Sequence, residues 1–167
     1  ERAWMKESLN ATTAAFPRDA LVHDLVSAQA ARAPSKIAAS DGVNEVTYAQ
    51  LEAGSNLLAM RLQEIAPQPG ARIAIATDRT VSMLAALLGV LKAGHAYVPL
   101  DPTHPASRLA QIIEGAKISA LICDDAASEA LAPAGVPTLR LDQIAANDSD
   151  GAQPKRHAKS AEEVAYV

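Results

Sequence analysis

The sequence has 167 residues, enough for one domain with a buried core, and a net charge of −4. It has no basic cluster that could follow a phosphate backbone, which argues against nucleic acid as a partner. No apolar run approaches the roughly 18 residues that a membrane span needs, and the first residues carry both signs of charge, unlike a signal peptide. With its single cysteine, the chain is predicted to be a soluble cytoplasmic protein without internal disulfides.

The beginning of the chain predicts a connecting segment and then a helix. The polar residues 10–15 and the pair Phe16–Pro17 interrupt regular structure. Asp19 has the side chain and the position of an N-cap for a helix over residues 20–32, which Pro34 would end. The buried face of this helix would consist of Leu21, Leu25 and Ala28.

A hairpin and a longer helix are predicted next. Residues 37–40 and 45–47 flank an Asp-Gly-Val-Asn sequence that favours a turn. Thr47 and Gln50 have the spacing of a capping box at the start of the helix, and the Pro- and Gly-containing residues 67–70 would end it. Its buried stripe would consist of Leu51, Leu58, Leu62 and Ile65.

Three short apolar strands separated by two helices form the centre of the predicted fold. The first strand, residues 72–76, is nearly all apolar, as are strands buried on both faces of a parallel sheet. The helix over residues 79–93 has little polar face and would be largely buried, with Thr77 or Asp78 as its cap. With the third strand at residues 118–123, this order predicts two right-handed crossovers in a parallel sheet. The expected class is α/β, a βαβαβ core flanked by helices.

Residues 91–102, with the sequence LKAGHAYVPLDP, contain the second strand and both of its boundaries. Gly94 suits a left-handed cap for the preceding helix, and residues 96–100 form the strand. Pro105 would begin the next helix and Gly115 would end it. That helix would bury Leu109, Ile112 and Ile113.

The remainder of the chain has weaker patterns. A short helix is predicted at residues 126–131 and a short strand at residues 138–141. Residues 147–159 are polar and predict an exposed loop. Another strand would begin at residues 164–167.

The usual nucleotide-binding and catalytic patterns are absent from the sequence. No GxGxxG pattern follows the first strand of the sheet, and no P-loop pattern occurs. Cys123 lies in an apolar run, which is typical of a buried structural thiol and not of a reactive one. Ser107 and Ser119 have no nearby histidine to activate them as nucleophiles. The histidines lack metal-ligand spacing, so structural or surface positions are expected for His23, His95, His104 and His157.

Asp124 and Asp125 leave two interpretations open. They follow the third strand at its carboxyl end, where ligands collect in open α/β sheets, so they could act as paired carboxylates. They could equally form a solvated turn that caps a helix. The residues alone therefore predict no catalytic, cofactor-binding or metal-binding position.

Residues 91–102 closely resemble the second core motif of the adenylation domains of nonribosomal peptide synthetases. Residues 46–51, VTYAQL, resemble the first core motif of that family. Residues 21–25 resemble the family's opening helix, and the pair Arg108–Leu109 is also typical. Residues 9–17 are similar to the linker from an upstream condensation domain, with Phe16–Pro17 where Tyr-Pro is more usual.

The resemblance implies an enzyme that activates an amino acid. ATP and the amino acid would give an aminoacyl-adenylate and pyrophosphate, with Mg²⁺ present, and the acyl group would pass to the phosphopantetheine thiol of a downstream carrier domain. Residues 1–18 would be the linker, and residues 19–167 the N-terminal part of the adenylation domain, ending before its phosphate-binding loop. This piece would belong to the large N-terminal subdomain and would be inactive alone.

The resemblance assigns a structural character to the two motifs that are present. Gly94, Pro99 and Pro102 would shape the backbone, and Tyr48 and Tyr97 would pack. No catalytic, ATP-binding or metal-binding residue is carried over to this chain. Two alternatives stay open: part of an acyl- or aryl-acid–CoA ligase, and a non-catalytic α/β interaction module.

Overall fold

A computed structural model describes residues 4, 7, 11–125, 131, 135–143, 153–155, 160 and 162–167. The helices α1 to α4 are Val22–Arg32, Tyr48–Ile65, Val81–Lys92 and Ala106–Gly115. The strands β1 to β6 are Ile37–Ser40, Glu45–Thr47, Arg72–Ala76, Ala96–Pro99, Ile118–Cys123 and Thr138–Arg140, and a short 3₁₀ turn, Leu141–Gln143, follows β6. The predicted order of elements through β6 is confirmed. The helix predicted at 126–131 and the loop predicted at 147–159 lie largely outside the described residues.

The strands β3 to β6 form one parallel sheet in the order β4-β3-β5-β6, which confirms the α/β class. The chain moves to one side from β3 to β4 and returns across β3 to reach β5. Two crossovers of the same hand and opposite direction must place their helices on opposite faces of the sheet. The structure agrees, because Val90 of α3 packs with Ile73 and Ile75, and Leu109 of α4 packs with the alternate residues of β3.

The sheet therefore separates two apolar layers. The layer on the α2 and α3 side contains Leu58, Ala59, Leu62, Ala66, Ile73, Ile75, Ala86, Val90, Ala93, Ala120 and Ile122. The layer on the α4 side contains Ala74, Ala76, Val98, Leu100, Leu109, Ile113, Ile118, Leu121, Cys123 and Leu131. Small residues in β3 and α3 let the helices approach the sheet closely, which suits a chain with only 3% aromatic residues.

Several local predictions are confirmed in detail. Thr47 accepts a hydrogen bond from the Gln50 backbone N–H, and the Gln50 side chain accepts one from the Thr47 backbone N–H, as a capping box requires. Gly94 has a φ of 83°, the left-handed conformation expected after α3. The stripe of α2 is buried at Leu51, Leu58 and Leu62.

The predicted start and buried face of α1 are wrong. The helix begins at Val22 with Leu21 at the N-cap position, and no side chain, including that of Asp19, caps it. Leu25 is 51% exposed and Ala28 is only partly buried or exposed at its surface, while Ala30 is the buried residue of this helix. The physical reason is that the inward side of α1 faces a buried lysine, described below, and turns polar residues toward it.

The predicted caps of α3 and α4 also need correction. Helix α3 begins at Val81, and neither Thr77 nor Asp78 caps it with a side chain. At the end of α4, Gly115 is the last helical residue, and the left-handed φ of 52° falls on Lys117. Helix α3 is buried along its second half, but Leu84 in its first half is 40% exposed.

The last residues lie against β4, as predicted. The Tyr97 N–H donates to the Ala165 carbonyl at 3.0 Å, and the Val167 N–H donates to the Tyr97 carbonyl at 3.1 Å. This pairing is parallel, and the ring centroids of Tyr97 and Tyr166 are 5.3 Å apart. A further strand thus begins beside β4. Among the described residues, no helix is both long enough and apolar enough to cross a membrane.

Candidate functional site

The carboxyl end of the parallel sheet is the edge at which open α/β proteins bind their ligands. The structure brings the residues after β3 and β5 together there: the Asp78 backbone N–H donates to Oδ2 of Asp124 at 2.8 Å. Asp125 instead pairs with the guanidinium of Arg140, which also contacts Asp142. Asp124 and Asp125 thus have separate partners, and this geometry supports a structural role for them, not a carboxylate pair.

Asp41 reaches the same edge from the hairpin loop and supplies the missing cap of α3. Its Oδ2 accepts the Val81 N–H at 3.2 Å, and its Oδ1 accepts the N–H groups of Val43 at 3.0 Å and Asn44 at 2.8 Å. These backbone donors, above all that of Asn44, lower the pKa of Asp41 to about 2. The carboxylate therefore joins the hairpin to the positive end of the α3 dipole.

Asp101 completes the set of carboxylates at this edge. Its Oδ1 accepts the backbone N–H of Thr103 at 2.9 Å and the Thr103 hydroxyl at 2.7 Å. The Thr103 hydrogen bonds hold the pKa of Asp101 below its usual value. Each of these aspartates thus has a hydrogen bond or an ion pair within the chain.

The remaining sequence candidates are dispersed. Ser107, Ser119 and His104 are exposed, while His95 is 1% exposed and Cys123 is fully buried. His157 lies outside the described residues. Within the described part of the chain, no group of three or more His, Cys, Asp or Glu side chains could hold a metal ion. The carboxylates that Mg²⁺ would need are scattered or engaged with the backbone, so the described residues do not fit a magnesium site.

A second polar group lies inside the helical layer, around Lys92. The Lys92 cluster consists of Ser27, Glu52, Ser55, Asn56 and Lys92. The Lys92 ammonium is 2.8 Å from each of three oxygens: Ser55 Oγ, Asn56 Oδ1 and Glu52 Oε2. Ser27 of α1 donates its hydroxyl hydrogen to the Glu52 carboxylate, at 2.9 Å and 3.0 Å from the two oxygens.

The geometry of Lys92 suits a structural role. The side chain is 5% exposed, and this burial lowers the pKa of Lys92, while the hydrogen bond and charge of Glu52 raise it. An ammonium has three hydrogen-bond donors, and each here has an acceptor. The group has no donor left for a substrate, and its partners hold it away from solvent. It therefore ties α3 to α2.

Sequence reasoning missed both the Asp41 cap and the Lys92 cluster. Asp41 looked like a turn residue, and its contact with Val81 depends on how the hairpin docks on the sheet. Lys92 looked like the end of an apolar helix. One pattern could have pointed to the cluster: a single lysine interrupts the buried second half of α3, and a buried lysine needs a partner.

Comparison with known proteins identifies the family. The family profile described as AMP-binding enzyme matches residues 26–167. One linear gramicidin synthase of Brevibacillus parabrevis is 45% identical over 122 residues, which are 73% of this chain and 2% of that protein. Another linear gramicidin synthase of the same organism, called the second gramicidin synthase below, is 36% identical over 170 residues, covering 100% of this chain and 3% of that protein.

A solved structure agrees with these sequence matches. The nonribosomal peptide synthetase FmoA3, in its alpha-methyl-L-serine-AMP bound form, superposes with a TM-score of 0.82 at 27% identity. The match covers 92% of this chain and 17% of that one, so the chain spans a small part of its relatives. Because these relatives are peptide synthetases, neither a CoA ligase nor a non-catalytic module is favoured. The chain belongs to the AMP-binding enzyme family and corresponds to the N-terminal part of an adenylation domain of a nonribosomal peptide synthetase.

Proposed function

We propose that these residues are the scaffold of an amino-acid-activating domain. In the whole enzyme, ATP and an amino acid would form an aminoacyl-adenylate and pyrophosphate, and the acyl group would pass to the phosphopantetheine thiol of a carrier domain. The observation that carries the proposal is the alignment of the full chain with the second gramicidin synthase at 36% identity. The alpha-methyl-L-serine-AMP bound to FmoA3, an aminoacyl-adenylate, supports the reaction type.

The residues of this chain would contribute shape and not chemistry. The carboxylates at the carboxyl end of the sheet bond to the chain's own N–H, hydroxyl and guanidinium groups, and Lys92 has three acceptors of its own. ATP, Mg²⁺ and the amino acid would therefore be held by parts of the enzyme other than the described residues. The contribution of this chain would be a sheet of fixed register, from which the strand begun at residues 164–167 continues along β4.

Residues 1–18 would be the linker from a condensation domain, and residues 19–167 part of the adenylation domain, in a cytoplasmic multidomain enzyme. The support is a difference in coverage. The AMP-binding profile begins at residue 26, whereas the alignment with the second gramicidin synthase includes 100% of the chain. Peptide synthetases thus share a segment with this chain that the general family profile leaves out.

A chimera tests the proposal. Residues 1–167 would replace the aligned segment of the second gramicidin synthase, and amino-acid-dependent ATP–pyrophosphate exchange would be measured. We expect exchange with the amino-acid preference of the recipient, and none from residues 1–167 alone. Exchange by residues 1–167 alone, or a soluble and folded chimera without exchange, would contradict the proposal. Circular dichroism and gel filtration of the chimera provide the folding control.

A further inference from the structure

Helix α1 attaches to the rest of the molecule in an unusual way. Val22 and Leu25 are 64% and 51% exposed, and Ala30 is the single buried residue of this helix, all of whose residues the structure describes. Asp24 and Ser27, one turn apart, are partly buried. An ordinary surface helix buries its apolar stripe. Helix α1 instead places polar side chains on its inner side, so apolar burial holds it weakly.

The polar attachment runs through three helices. The Ser27 hydroxyl of α1 lies 2.9 Å and 3.0 Å from the Glu52 oxygens of α2. Glu52 lies 2.8 Å from the Lys92 ammonium of α3. Asp24 of α1 adds its negative charge near the same ammonium. Glu52 is thus held at one carboxylate by both neighbours, and α1 depends on a charge that α3 supplies.

The two ends of α1 are held differently. Immediately after the helix, the Pro34 carbonyl accepts the Ala49 N–H and the Lys36 carbonyl accepts the Tyr48 N–H, both at 2.9 Å. These bonds fix the chain after α1 without the Lys92 cluster. At the other end, residues 20–23 line a mainly apolar pocket of about 130 Å³ together with Leu91 and residues of the segment 160–165. The beginning of α1 therefore covers a space and not a packed core.

We propose that the Lys92 cluster is a latch that holds α1 closed over this pocket. When the Ser27–Glu52–Lys92 contact is lost, α1 swings as a unit about Ala33, where the helix ends, and the two layers against the sheet stay folded. Opening uncovers Leu91 and the segment that pairs with β4. The latch thus connects the start of the chain to the sheet edge at Tyr97, a link that goes beyond the scaffold role proposed above.

Hydrogen exchange measured by mass spectrometry on the 167-residue protein tests the latch. The variants are Ser27→Ala, which removes the α1 contact, and Lys92→Met, which removes the charge and keeps the length of the side chain. The control is Arg61→Ala, which breaks the exposed Arg61–Glu64 pair on the outside of α2. We expect amide exchange in α1 to become on the order of tenfold faster in both variants, with exchange in β3 unchanged. The control should leave both elements unchanged.

The comparison of α1 with β3 decides the outcome. A rise in α1 exchange above that of β3 in either variant supports the latch. The proposal is overturned when neither variant raises α1 exchange above that of β3, whether both elements stay protected or both lose protection together. Because Ser27 contacts only the outer end of the cluster, its variant stays informative if loss of the buried Lys92 charge destabilises the whole fold.

Discussion

Helix α2 is held on its two sides by different kinds of contact. Toward α3 the contact is apolar and very close: a Cβ added at Gly89 would lie 2.7 Å from Leu58 Cβ and 3.2 Å from the Ser55 carbonyl. Toward α1 the contact is polar and depends on Glu52. The first interface is specified by shape and the second by charge. We therefore expect the first to set the stability of the fold and the second to set how firmly α1 is attached.

The largest effect should come from filling the close contact. Gly89→Ala forces α2 and α3 apart, since real Cβ atoms do not approach to 2.7 Å, and we expect a loss of about 1–3 kcal/mol in the free energy of unfolding. Urea denaturation measures it. Gly54→Ala is the matched control, because its added Cβ would lie 3.8 Å from Ala85, an ordinary contact. That variant should be neutral or more stable by about 0.5–1 kcal/mol. Equal stability of the two variants would contradict the account of this interface.

A smaller effect is expected at the polar interface. Lys92→Met leaves the Glu52 carboxylate without its cation, and we expect a loss of about 1–2 kcal/mol, moderated because Glu52 is 25% exposed and can turn to solvent. The double variant Lys92→Met/Glu52→Gln removes both charges. It should be less destabilised than the sum of the single variants, which urea denaturation of all four proteins measures. Strict additivity would show that the pair is not coupled.

The smallest effect concerns the cap that Asp41 provides for α3. Its pKa of about 2 lies below the ordinary value of 3.8, so the folded state favours the charged carboxylate. This contribution to stability is complete above the ordinary value and is lost as the pH falls through about 2. The difference in urea midpoint between the wild type and Asp41→Asn should therefore be constant near neutral pH and shrink in acid. A difference that is independent of pH would remove Asp41 from this role.

The contrast between the two sides of α2 also shows what the sequence can predict. The apolar stripe of α2, the Thr47 capping box and the left-handed Gly94 follow from residues close together in the chain, and all three are confirmed. The buried face of α1 and the cap of α3 could not be predicted, because each depends on a partner from a distant element. Ser27 is 25 positions from Glu52, and Asp41 is 40 positions from Val81.

The candidate site follows the same rule. Residues 91–102 were sufficient to indicate the family by resemblance, and they predicted a helix end followed by a strand, which the structure contains. They did not reveal that Lys92 joins the helix of the second motif to Glu52, just after the first motif. A buried polar contact between two helices has no period in the sequence, so only the packed structure can show it.

The scaffold role is tested most directly in the chimera with the second gramicidin synthase. Asp41→Asn, Asp101→Asn and Asp124→Asn each remove a carboxylate at the carboxyl end of the sheet, where a catalytic group would be expected. We predict that each folded variant keeps its rate of ATP–pyrophosphate exchange at saturating substrates within about twofold of the unsubstituted chimera. A loss of about a hundredfold or more in a variant of normal thermal stability would place that carboxylate in the chemistry and contradict the account.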